Sequence, residues 1–315
     1  MPKISVCIPT FNRAQLLPLA IDSVLKQSYQ DFELIICDDG STDGTSEIIS
    51  QYQDARIHYI RHPQNIGKSN NMISGYKAAT GDYFIKFDDD DRLTPDFLAR
   101  TSAILEKDQT IDFVGTDHWI IDINNNRDEQ MTQSNSYKWG RTNLPSGVIE
   151  NLLEVVFIQQ SLQIGATLFR RQTLEEVEFM LPNIQNCEDN DLFVRLALAG
   201  KKGYYLPELL MEYRCHAEQQ NINRAIPYLT DKIRYLSSYE FESEKLEKVR
   251  RSRLAECQLT LGLRLVETGD TAKGRQLLWA GKSFSTPRAL SGLAMSLLPV
   301  GLRSNAFNAL RRVKF

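Results

Sequence analysis

Short apolar runs alternate with helical patterns along the first hundred residues of the chain. The runs at 4–8 and 32–37 are apolar except for one polar residue each, which is typical of strands covered on both faces in a parallel sheet. Further strand-like segments occupy 57–61 and 83–87, and helical spacing is found at 14–27, 46–52 and 67–79. This order predicts an α/β fold with a mostly parallel central sheet, whose ligands lie beyond the carboxyl ends of the strands.

Polar clusters follow three of the predicted strands, at residues 9–13, 38–43 and 88–91. The last is four consecutive aspartates, whose carboxylates repel one another unless a cation neutralises them. Oxygen ligands favour a hard ion such as Mg²⁺ or Mn²⁺, which commonly shares its coordination shell with substrate phosphates. The alternative interpretation is an acidic turn that caps a helix starting near 94–96. Because all three clusters follow strands, we favour a nucleotide cleft, although neither common glycine-rich phosphate loop is present.

Composition limits the class of protein. The chain has 315 residues, 42% of them hydrophobic, and a net charge of -3, which is typical of a globular protein with a sizeable core. Its five cysteines are odd in number and lack short paired spacings, which disfavours a secreted disulfide framework and indicates a reducing cytosol. The first residues have no signal-peptide pattern, and no window of about 18 residues is apolar throughout. We therefore predict a cytoplasmic protein without a membrane span.

Six blocks of residues, taken in order, resemble the family 2 glycosyltransferases of the GT-A fold. They are ISVCIPTFNR at 4–13, CDDGSTD at 37–43, NIG at 65–67, DDDD at 88–91, NCEDNDL at 186–192 and YRCH at 213–216. The resemblance implies a GT-A nucleotide-sugar-binding domain at 1–224, with a nucleotide-sugar half at 1–105 and an acceptor half at 106–224. It also implies transfer of a sugar from a nucleoside diphosphate donor, with UDP-sugars favoured, to an acceptor hydroxyl, with inversion at the anomeric carbon.

The donor side of the predicted site comes from the first half of the chain. By resemblance, Asp39 binds the base, and the backbone near Pro9 and Thr10 lines the nucleoside pocket; capping of a helix is the alternative role for Asp39. Arg13 and Lys68 are cations at predicted helix starts, where a diphosphate is favoured, and a solvated surface charge is the alternative for each. The predicted nucleotide-sugar set is Pro9, Thr10, Asn12, Arg13, Asp39, Asn65, Lys68, Asp88 and Asp89.

Two asparagines of this set have competing local explanations. Asn65 resembles a nucleotide-side residue of the family and is equally a turn former. Asn12 lies three residues before Gln15, a spacing that predicts a capping box for the first helix.

The metal side depends on how the D-x-D motif of the family is placed on the four aspartates. It can be read as Asp88 with Asp90 or as Asp89 with Asp91, and the usual family pattern favours the first. In relatives a histidine at the position of His216 can bind the metal or the diphosphate, and an exposed loop histidine is the alternative. The resemblance therefore implies Asp88, Asp90 and His216 as ligands of Mn²⁺ or Mg²⁺.

The catalytic residues are predicted at the start of a later helical pattern, 191–199. By resemblance, Asp189 is the base that takes the proton of the acceptor hydroxyl, and Glu188 orients the acceptor or Asp189. Helix capping is the alternative for both acids. Asn190 departs from the aromatic residue that the family often has at this position. Because the Q-x-x-R-W motif of processive members is absent, we expect one sugar to be added per encounter.

Beyond residue 225 the resemblance ends and the pattern becomes helical, with long helices expected at 226–239 and 244–267. After Asp270 the chain has eight basic residues and no acidic one, which leaves a net charge of -11 for the residues before it. We predict a helical region at 225–315 whose basic amphipathic tail, 287–315, contacts the inner face of an anionic membrane peripherally. Packing of the tail on the body or on a second subunit is the alternative. The residues expected to enter the membrane are Leu293, Leu297, Leu298, Leu302 and Phe307.

The sequence thus predicts a metal-dependent glycosyltransferase with a saccharide or lipid-linked acceptor, acting in synthesis of a surface polysaccharide or glycoconjugate. A non-catalytic nucleotide-sugar-binding or scaffold protein and a sugar-phosphate nucleotidylyltransferase are the alternatives. Nucleic acid is not expected as a partner, because the body is acidic and no basic stripe interleaves with aromatic residues.

Overall fold

The computed structural model of the protein describes residues 2–182, 186–215 and 225–312, and the chain divides into two units. We call Met1–Gln219 the sheet unit and Gln220–Phe315 the helical unit. The functional division predicted at residues 105 and 224 stays a prediction.

The strands that the structure describes form one mixed sheet in the sheet unit. Strands β1 to β4 run parallel to one another, β6 is parallel to β9, and β8 lies antiparallel between β4 and β6. The order is β3-β2-β1-β4-β8-β6-β9-β5, with β7 paired to β9. This α/β sheet confirms the predicted fold class and places its parallel part in the first four strands. The strands are β1 (Ile4–Thr10), β2 (Phe32–Asp38), β3 (Ile57–Arg61), β4 (Tyr83–Lys86), β5 (Arg92–Leu93), β6 (Phe113–Ile121), β7 (Gly147–Val148), β8 (Thr167–Arg170) and β9 (Gly203–Arg214).

Helices connect these strands, and the first three lie where the sequence predicts them. Helix α1 nevertheless begins at Leu17, three residues later than predicted, after a turn at 14–16; Asn12 takes a left-handed conformation with φ 50°. The Asn12 side chain accepts a hydrogen bond from the Thr42 backbone, so the capping-box prediction is wrong. The helices are α1 (Leu17–Leu25), α2 (Thr45–Ile49), α3 (Lys68–Ala78), α4 (Phe97–Lys107), α5 (Glu129–Lys138), α6 (Leu152–Glu154), α7 (Arg171–Glu176) and α8 (Glu188–Leu198).

The four aspartates lie between two strands and do not cap a helix. Strand β5 follows them directly and pairs with β9, and α4 begins only at Phe97. The residue before that helix is Asp96, whose carboxylate accepts a hydrogen bond from Ser28 Oγ at 2.7 Å instead of capping the helix. The acidic stretch is therefore a loop at the carboxyl end of a buried parallel strand, where ligands bind in this class of sheet.

The helical unit has its own apolar core, formed by Leu259, Val266, Leu278, Ala289 and Phe307. Glycine allows its helices to approach closely: a Cβ atom on Gly262 would lie 2.8 Å from the backbone nitrogen of Leu278. The helices are α9 (Ala225–Ser237), α10 (Glu244–Thr268), α11 (Thr271–Ala280), α12 (Thr286–Met295) and α13 (Val300–Arg312).

The C-terminal segment packs on the other helices of its unit. Phe307 belongs to the apolar core and Leu293 packs against it, so the expectation that these two side chains enter a membrane is wrong. Leu297, Leu298 and Leu302 are exposed, as expected. Within the described residues, no helix has both the length and the apolar character needed to cross a membrane.

Arg303 holds this segment in place. Its side chain is buried and donates hydrogen bonds to the carbonyl oxygens of Val266, Ser296 and Leu298 and to Thr271 Oγ1, at 2.6–3.0 Å. One guanidinium therefore ties α13 to the ends of α10 and α12 and to the start of α11. The charge that the sequence assigns to a basic tail serves, at this position, to satisfy buried backbone carbonyls.

We predict that Arg303→Met destabilises the helical unit by about 3 kcal/mol, because buried carbonyl groups lose their donors. Hydrogen exchange of peptides from 259–307, read by mass spectrometry, measures this as a loss of protection. Arg288→Met is the matched control: Arg288 is exposed on α12, and its loss should change protection by less than about 0.5 kcal/mol. Equal protection in the two variants would contradict the packing of the tail.

Candidate active site

Arg214 holds the acidic loop, residues 88–91, which follows β4. This residue is fully buried at the end of β9; its Nε donates to the Asp90 carbonyl at 2.7 Å and its backbone nitrogen to Asp91 Oδ1 at 2.8 Å. Its Nη1 reaches the Asp122 carbonyl at 2.9 Å and its Nη2 reaches Asn125 Oδ1 at 2.7 Å. The loop is thus fixed by a residue more than a hundred positions away in the sequence.

The last aspartate of the loop points into the protein. Asp91 is 1% exposed, and burial, with the nearby Asp90, raises the pKa of its carboxyl well above the ordinary value. A carboxyl group that is buried against the Arg214 backbone is poorly placed to bind a ligand in the cleft. This geometry favours the Asp88 and Asp90 placement of the D-x-D motif over Asp89 and Asp91.

Arg13 faces the two aspartates that precede Asp91 in the loop, Asp89 and Asp90. Its Nε lies 3.4 Å from Asp89 Oδ1, and its Nη2 lies 4.0 Å from Asp90 Oδ2. Burial raises the pKa of Asp89 to about 7, Asp90 adds to the rise, and Arg13 opposes it. Asp89 and Asp90 thus both lie close to the Arg13 guanidinium.

Lys86 joins the acidic loop to the start of α8. Its side chain is 1% exposed, and its Nζ lies 2.7 Å from Asp88 Oδ1 and 3.8 Å from Asp189 Oδ2. Burial alone would lower the pKa of this ammonium group, but Asp189 and Asp88 outweigh it and raise the pKa. A single buried cation is thus in reach of the carboxylates predicted for the metal side and for the base.

A second lysine lies at the same end of the sheet. Lys68, the first residue of α3, places its Nζ 2.6 Å from Glu188 Oε1. Burial acts to lower its pKa, yet Glu188, Asp189 and Asp88 together raise it well above the ordinary value. The Lys68 side chain is 43% exposed, so both its predicted diphosphate role and its alternative as a surface charge stay open, while its ammonium group pairs with Glu188.

Helix α8 presents its first two residues, Glu188 and Asp189, to these lysines. The chain enters the helix through Cys187 in a left-handed conformation with φ 65°, and no side-chain cap is found there. The other acid of the first turn, Asp191, pairs with Arg195 at 2.7 Å. Burial raises the pKa of Asp189, and Glu188 also raises it, whereas Lys86 opposes the rise. A carboxylate with a raised pKa is a better proton acceptor, as a general base requires.

Asn190 makes a polar contact with Gln160. Its Oδ1 accepts a hydrogen bond from Gln160 Nε2 at 3.1 Å. Gln160 itself has φ 55° and ends a π-helical segment, Val155–Gln159. An amide pair therefore occupies the position at which the resemblance predicts an aromatic side chain.

The other residues predicted for the nucleotide-sugar side lie in or next to the loops that follow β1, β2 and β3. Thr10 ends β1 and is buried, and Asn12 accepts a hydrogen bond from Thr42, which joins the loops after β1 and β2. Asp39 accepts hydrogen bonds from the backbone nitrogens of Ile66 and Gly67, at 2.7 and 3.1 Å. Asp39 thus holds the chain that leads into Lys68.

The structure brings most of the predicted site together. Asp88, Asp89, Asp90, Arg13, Lys68, Glu188 and Asp189 form one linked set of charges, whereas Asp39 contacts backbone and Asn65 Oδ1 accepts from Gly67 within its own turn. Pro9 is buried in β1, where it pairs with Cys37. The prediction for His216 lies outside the described residues. Lys86 and Arg214 were missed as site residues, although a lysine inside an apolar run next to four acids is a visible signal.

The donor atoms of the acidic loop suit a hard divalent ion. They are all carboxylate oxygens, the ligand type that Mg²⁺ and Mn²⁺ prefer. Among the residues described, no three histidine, cysteine or acidic side chains converge as a metal-ligand group. An ion held by Asp88 and Asp90 would complete its shell with water and substrate oxygens, as Mg²⁺ commonly does.

Comparison with known proteins identifies the family. The family described as Glycosyl transferase family 2 matches residues 5–175, more than half of the chain. The chain belongs to glycosyl transferase family 2. Glycosyltransferase EpsE of Bacillus subtilis is 32% identical over 218 residues, which span 68% of this glycosyltransferase and 73% of EpsE. The GalNAc(5)-diNAcBac-PP-undecaprenol beta-1,3-glucosyltransferase of Campylobacter jejuni is 42% identical over 111 residues, 34% of this chain and 35% of that protein.

Solved structures share the fold of this glycosyltransferase at low sequence identity. S. aureus TarS 1-349 in complex with UDP-GlcNAc superimposes with a TM-score of 0.66 at 14% identity, over 96% of this chain and 92% of that one. The mannosyltransferase PcManGT of Pyrobaculum calidifontis, in complex with GDP-Man and Mn²⁺, gives a TM-score of 0.59 at 17% identity, over 99% and 81% of the two chains. Family membership supports the enzyme over the scaffold and nucleotidylyltransferase alternatives.

We predict that Lys86→Met lowers the turnover of glycosyl transfer by about a hundredfold or more while the protein stays folded. Methionine fills the buried space of the lysine stem, but Asp88 and Asp189 lose the cation that both contact. Turnover is measured as release of the nucleoside diphosphate, and folding by thermal unfolding. Lys77→Met, an exposed lysine at the end of α3, is the control and should leave turnover unchanged. Unchanged turnover in the Lys86→Met enzyme would contradict a role for Lys86 in the active site.

Proposed function

We propose that this glycosyltransferase moves one sugar from a nucleoside diphosphate donor to an acceptor hydroxyl with inversion at the anomeric carbon. The observation that carries the proposal is the shared contact of Lys86 with Asp88 and Asp189. In a single displacement the base and the leaving group act on opposite faces of one sugar ring. Asp189, as the base, and Asp88, on the side of the leaving diphosphate, must therefore lie within about a sugar's width of each other. Their shared contact with Lys86 places them at such a separation.

The donor is proposed to be a UDP-sugar. A nucleotide donor is supported by the ends of β1 and β2 and the loops after them, where Thr10, Asn12 and Asp39 lie at the edge at which nucleotides bind in this class of sheet. TarS shares the fold and binds UDP-GlcNAc, which supports a UDP-sugar, while PcManGT shares the fold and binds GDP-Man. Arg13 and Lys68 would contact the diphosphate, which then competes with the carboxylates that they face in the structure.

The chemistry assigned to the protein side chains is a proton transfer and charge stabilisation. The Asp189 carboxylate takes the proton of the acceptor hydroxyl as its oxygen bonds to the anomeric carbon, and the bond from that carbon to the diphosphate oxygen breaks. A divalent ion bound by Asp88 and Asp90 would offset the charge of the departing diphosphate. Arg13 and Lys68 add two fixed positive charges on the same side. Glu188 is held by Lys68 in the structure and would orient the acceptor or Asp189.

The acceptor is proposed to be a saccharide or a lipid-linked saccharide, in synthesis of a surface polysaccharide or glycoconjugate. The Campylobacter relative, by its name, acts on a sugar chain linked to undecaprenol, and further relatives include a chondroitin synthase and a hyaluronan synthase of Pasteurella multocida. A cytoplasmic enzyme that contacts an anionic membrane peripherally would meet such an acceptor at the membrane surface. Gln160 and Asn190 lie beside the base and would bind acceptor hydroxyls by hydrogen bonds rather than by stacking.

We predict that UDP with Mn²⁺ raises the melting temperature of the protein by about 5 °C or more at saturation, and that EDTA removes the effect. Asp90→Ala should abolish both this metal-dependent shift and turnover while it leaves unfolding cooperative. The experiment is a thermal unfolding panel of UDP, GDP and CDP, each with Mn²⁺, with Mg²⁺ and with EDTA.

Asp82→Ala is the matched control, because Asp82 lies before the same strand, at its opposite end, and pairs with the partly exposed Lys3. It should keep the full shift. A melting-temperature shift with GDP alone would mean that the donor carries guanine and not uracil. The absence of a shift with all three nucleotides would contradict the proposed donor site. Loss of cooperative unfolding in Asp90→Ala would instead indicate a structural role for this aspartate.

A further inference from the structure

Exposed apolar residues are concentrated in one loop of the helical unit, between α12 and the first turn of α13. Every residue from 297 to 302, which we call the apolar loop, is apolar or glycine and is exposed. Leu297 is 77% exposed, Val300 52% and Leu302 57%. Leu290 on α12 is 56% exposed as well. Soluble proteins rarely leave a run of large apolar side chains in water without a use for it.

The apolar loop is held in a fixed shape by the rest of the unit. Arg303 donates hydrogen bonds to the carbonyl oxygens of Leu298 and Ser296 at 2.9 and 3.0 Å, and the residue itself is buried. The leucine side chains of the loop are thus presented to solvent by a backbone that is already ordered. Little conformational entropy would be lost when they enter another apolar phase.

Helix α11 adds an aromatic residue and cations beside this loop. Arg275 Nε donates to Ser296 Oγ at 2.7 Å and its Nη2 to Ser296 O at 3.2 Å, at the residue that precedes the loop. Trp279 lies four residues further along and so on the same face of α11; it is 59% exposed, with Lys282 Nζ 3.6 Å from its ring centroid. Exposed tryptophan next to lysine is typical of side chains at the headgroup level of a bilayer.

Charge decides which partner fits this surface. The helical unit contains 17 basic and 8 acidic residues, a net charge of +9, which leaves -12 for the sheet unit. Two copies that docked through the same surface would bring like charges together, since a twofold interface pairs a patch with itself. An anionic lipid surface attracts the same charge and accepts the apolar side chains beneath its headgroups.

We propose that the apolar loop and Trp279 insert into the interface of an anionic bilayer, with Lys273, Arg275, Lys282 and Arg288 paired with lipid headgroups. All four cations are exposed. The docking element is therefore a preformed surface of the folded helical unit and not a free amphipathic tail. The proposed function includes a peripheral membrane contact, and this inference assigns that contact to a defined surface. It rests on the proposed function only for the location of the acceptor at the membrane.

The test is sedimentation of the full-length protein with vesicles that contain about 30% phosphatidylglycerol in phosphatidylcholine, and with phosphatidylcholine alone. Binding to the anionic vesicles is expected, and it should weaken as salt is raised. Leu297→Ser with Leu302→Ser should lower the partition coefficient about tenfold or more. Lys282→Gln with Arg288→Gln should lower it severalfold on anionic vesicles.

The matched control is Ile123→Ser with Leu198→Ser, two side chains of the sheet unit that are each 52% exposed; it should bind vesicles like the unaltered protein. Failure of the unaltered protein to bind anionic vesicles, or equal binding by the Leu297→Ser, Leu302→Ser protein, would overturn the proposal. So would a dimer in analytical ultracentrifugation that this double variant dissociates, without vesicle binding. The UDP and Mn²⁺ melting shift, measured on the same samples, reports the nucleotide site separately from the membrane surface.

Discussion

The ammonium group of Lys86 is buried between two sets of carboxylates, and the candidate site is organised around that charge. Asp88 contacts it from the loop after β4 and Asp189 from the start of α8. Within the described residues, Lys86, Lys68 and Arg13 lie within 4.0 Å of five carboxylates, those of Asp88, Asp89, Asp90, Glu188 and Asp189. Burial raises the pKa values of Asp89 and Asp91, and the neighbouring carboxylates Asp88 and Asp90 raise them further. A diphosphate adds more negative charge, so its binding requires an accompanying cation.

The sheet explains how these charges come to one place. Strands β1 to β4 are parallel, so the loops that follow them meet at one edge, with Thr10, Asp38 and Lys86 at the ends of β1, β2 and β4. The second half of the sheet then returns to this edge through β9, whose last residue, Arg214, binds the backbone of the acidic loop. Helix α8 supplies the remaining acids from a segment that joins β8 to β9. The same strand order that forms the sheet therefore also places these charged residues together.

Much of this arrangement was predictable because it depends on local patterns. The first four strands and three helices follow from apolar runs and turn residues, and Asp88–Asp91 and Glu188-Asp189 stand out as acids at element ends. Lys86 has a local signal, as a lysine inside an apolar run next to four acids, but its contact with Asp189 joins distant segments and has no local pattern. Arg214 acts through backbone carbonyls 92 to 124 positions away, which no local pattern encodes.

The helical unit shows a similar limit. Composition and spacing indicated a basic amphipathic tail, but charge alone does not distinguish Arg303, which satisfies buried carbonyls, from Arg288, which is exposed. Phe307 and Leu293 are apolar residues in the same run as Leu297 and Leu302, yet the first two contribute to the core. The difference depends on tertiary packing between α10, α12 and α13 and is visible only in the folded chain. Asn12 likewise has the sequence of a helix cap and joins two loops instead.

The most direct test of this charge balance is the electron paramagnetic resonance signal of free Mn²⁺, titrated with the protein in the absence and in the presence of UDP. With two protein carboxylates as ligands, the ion should bind weakly to the protein alone and tightly once the diphosphate completes its shell, so UDP should remove the free signal. Tight Mn²⁺ binding without nucleotide would contradict the account by revealing a site made by the protein alone. The second contradictory result would be that protein with UDP leaves as much free Mn²⁺ signal as UDP alone. The metal would then have no part in donor binding.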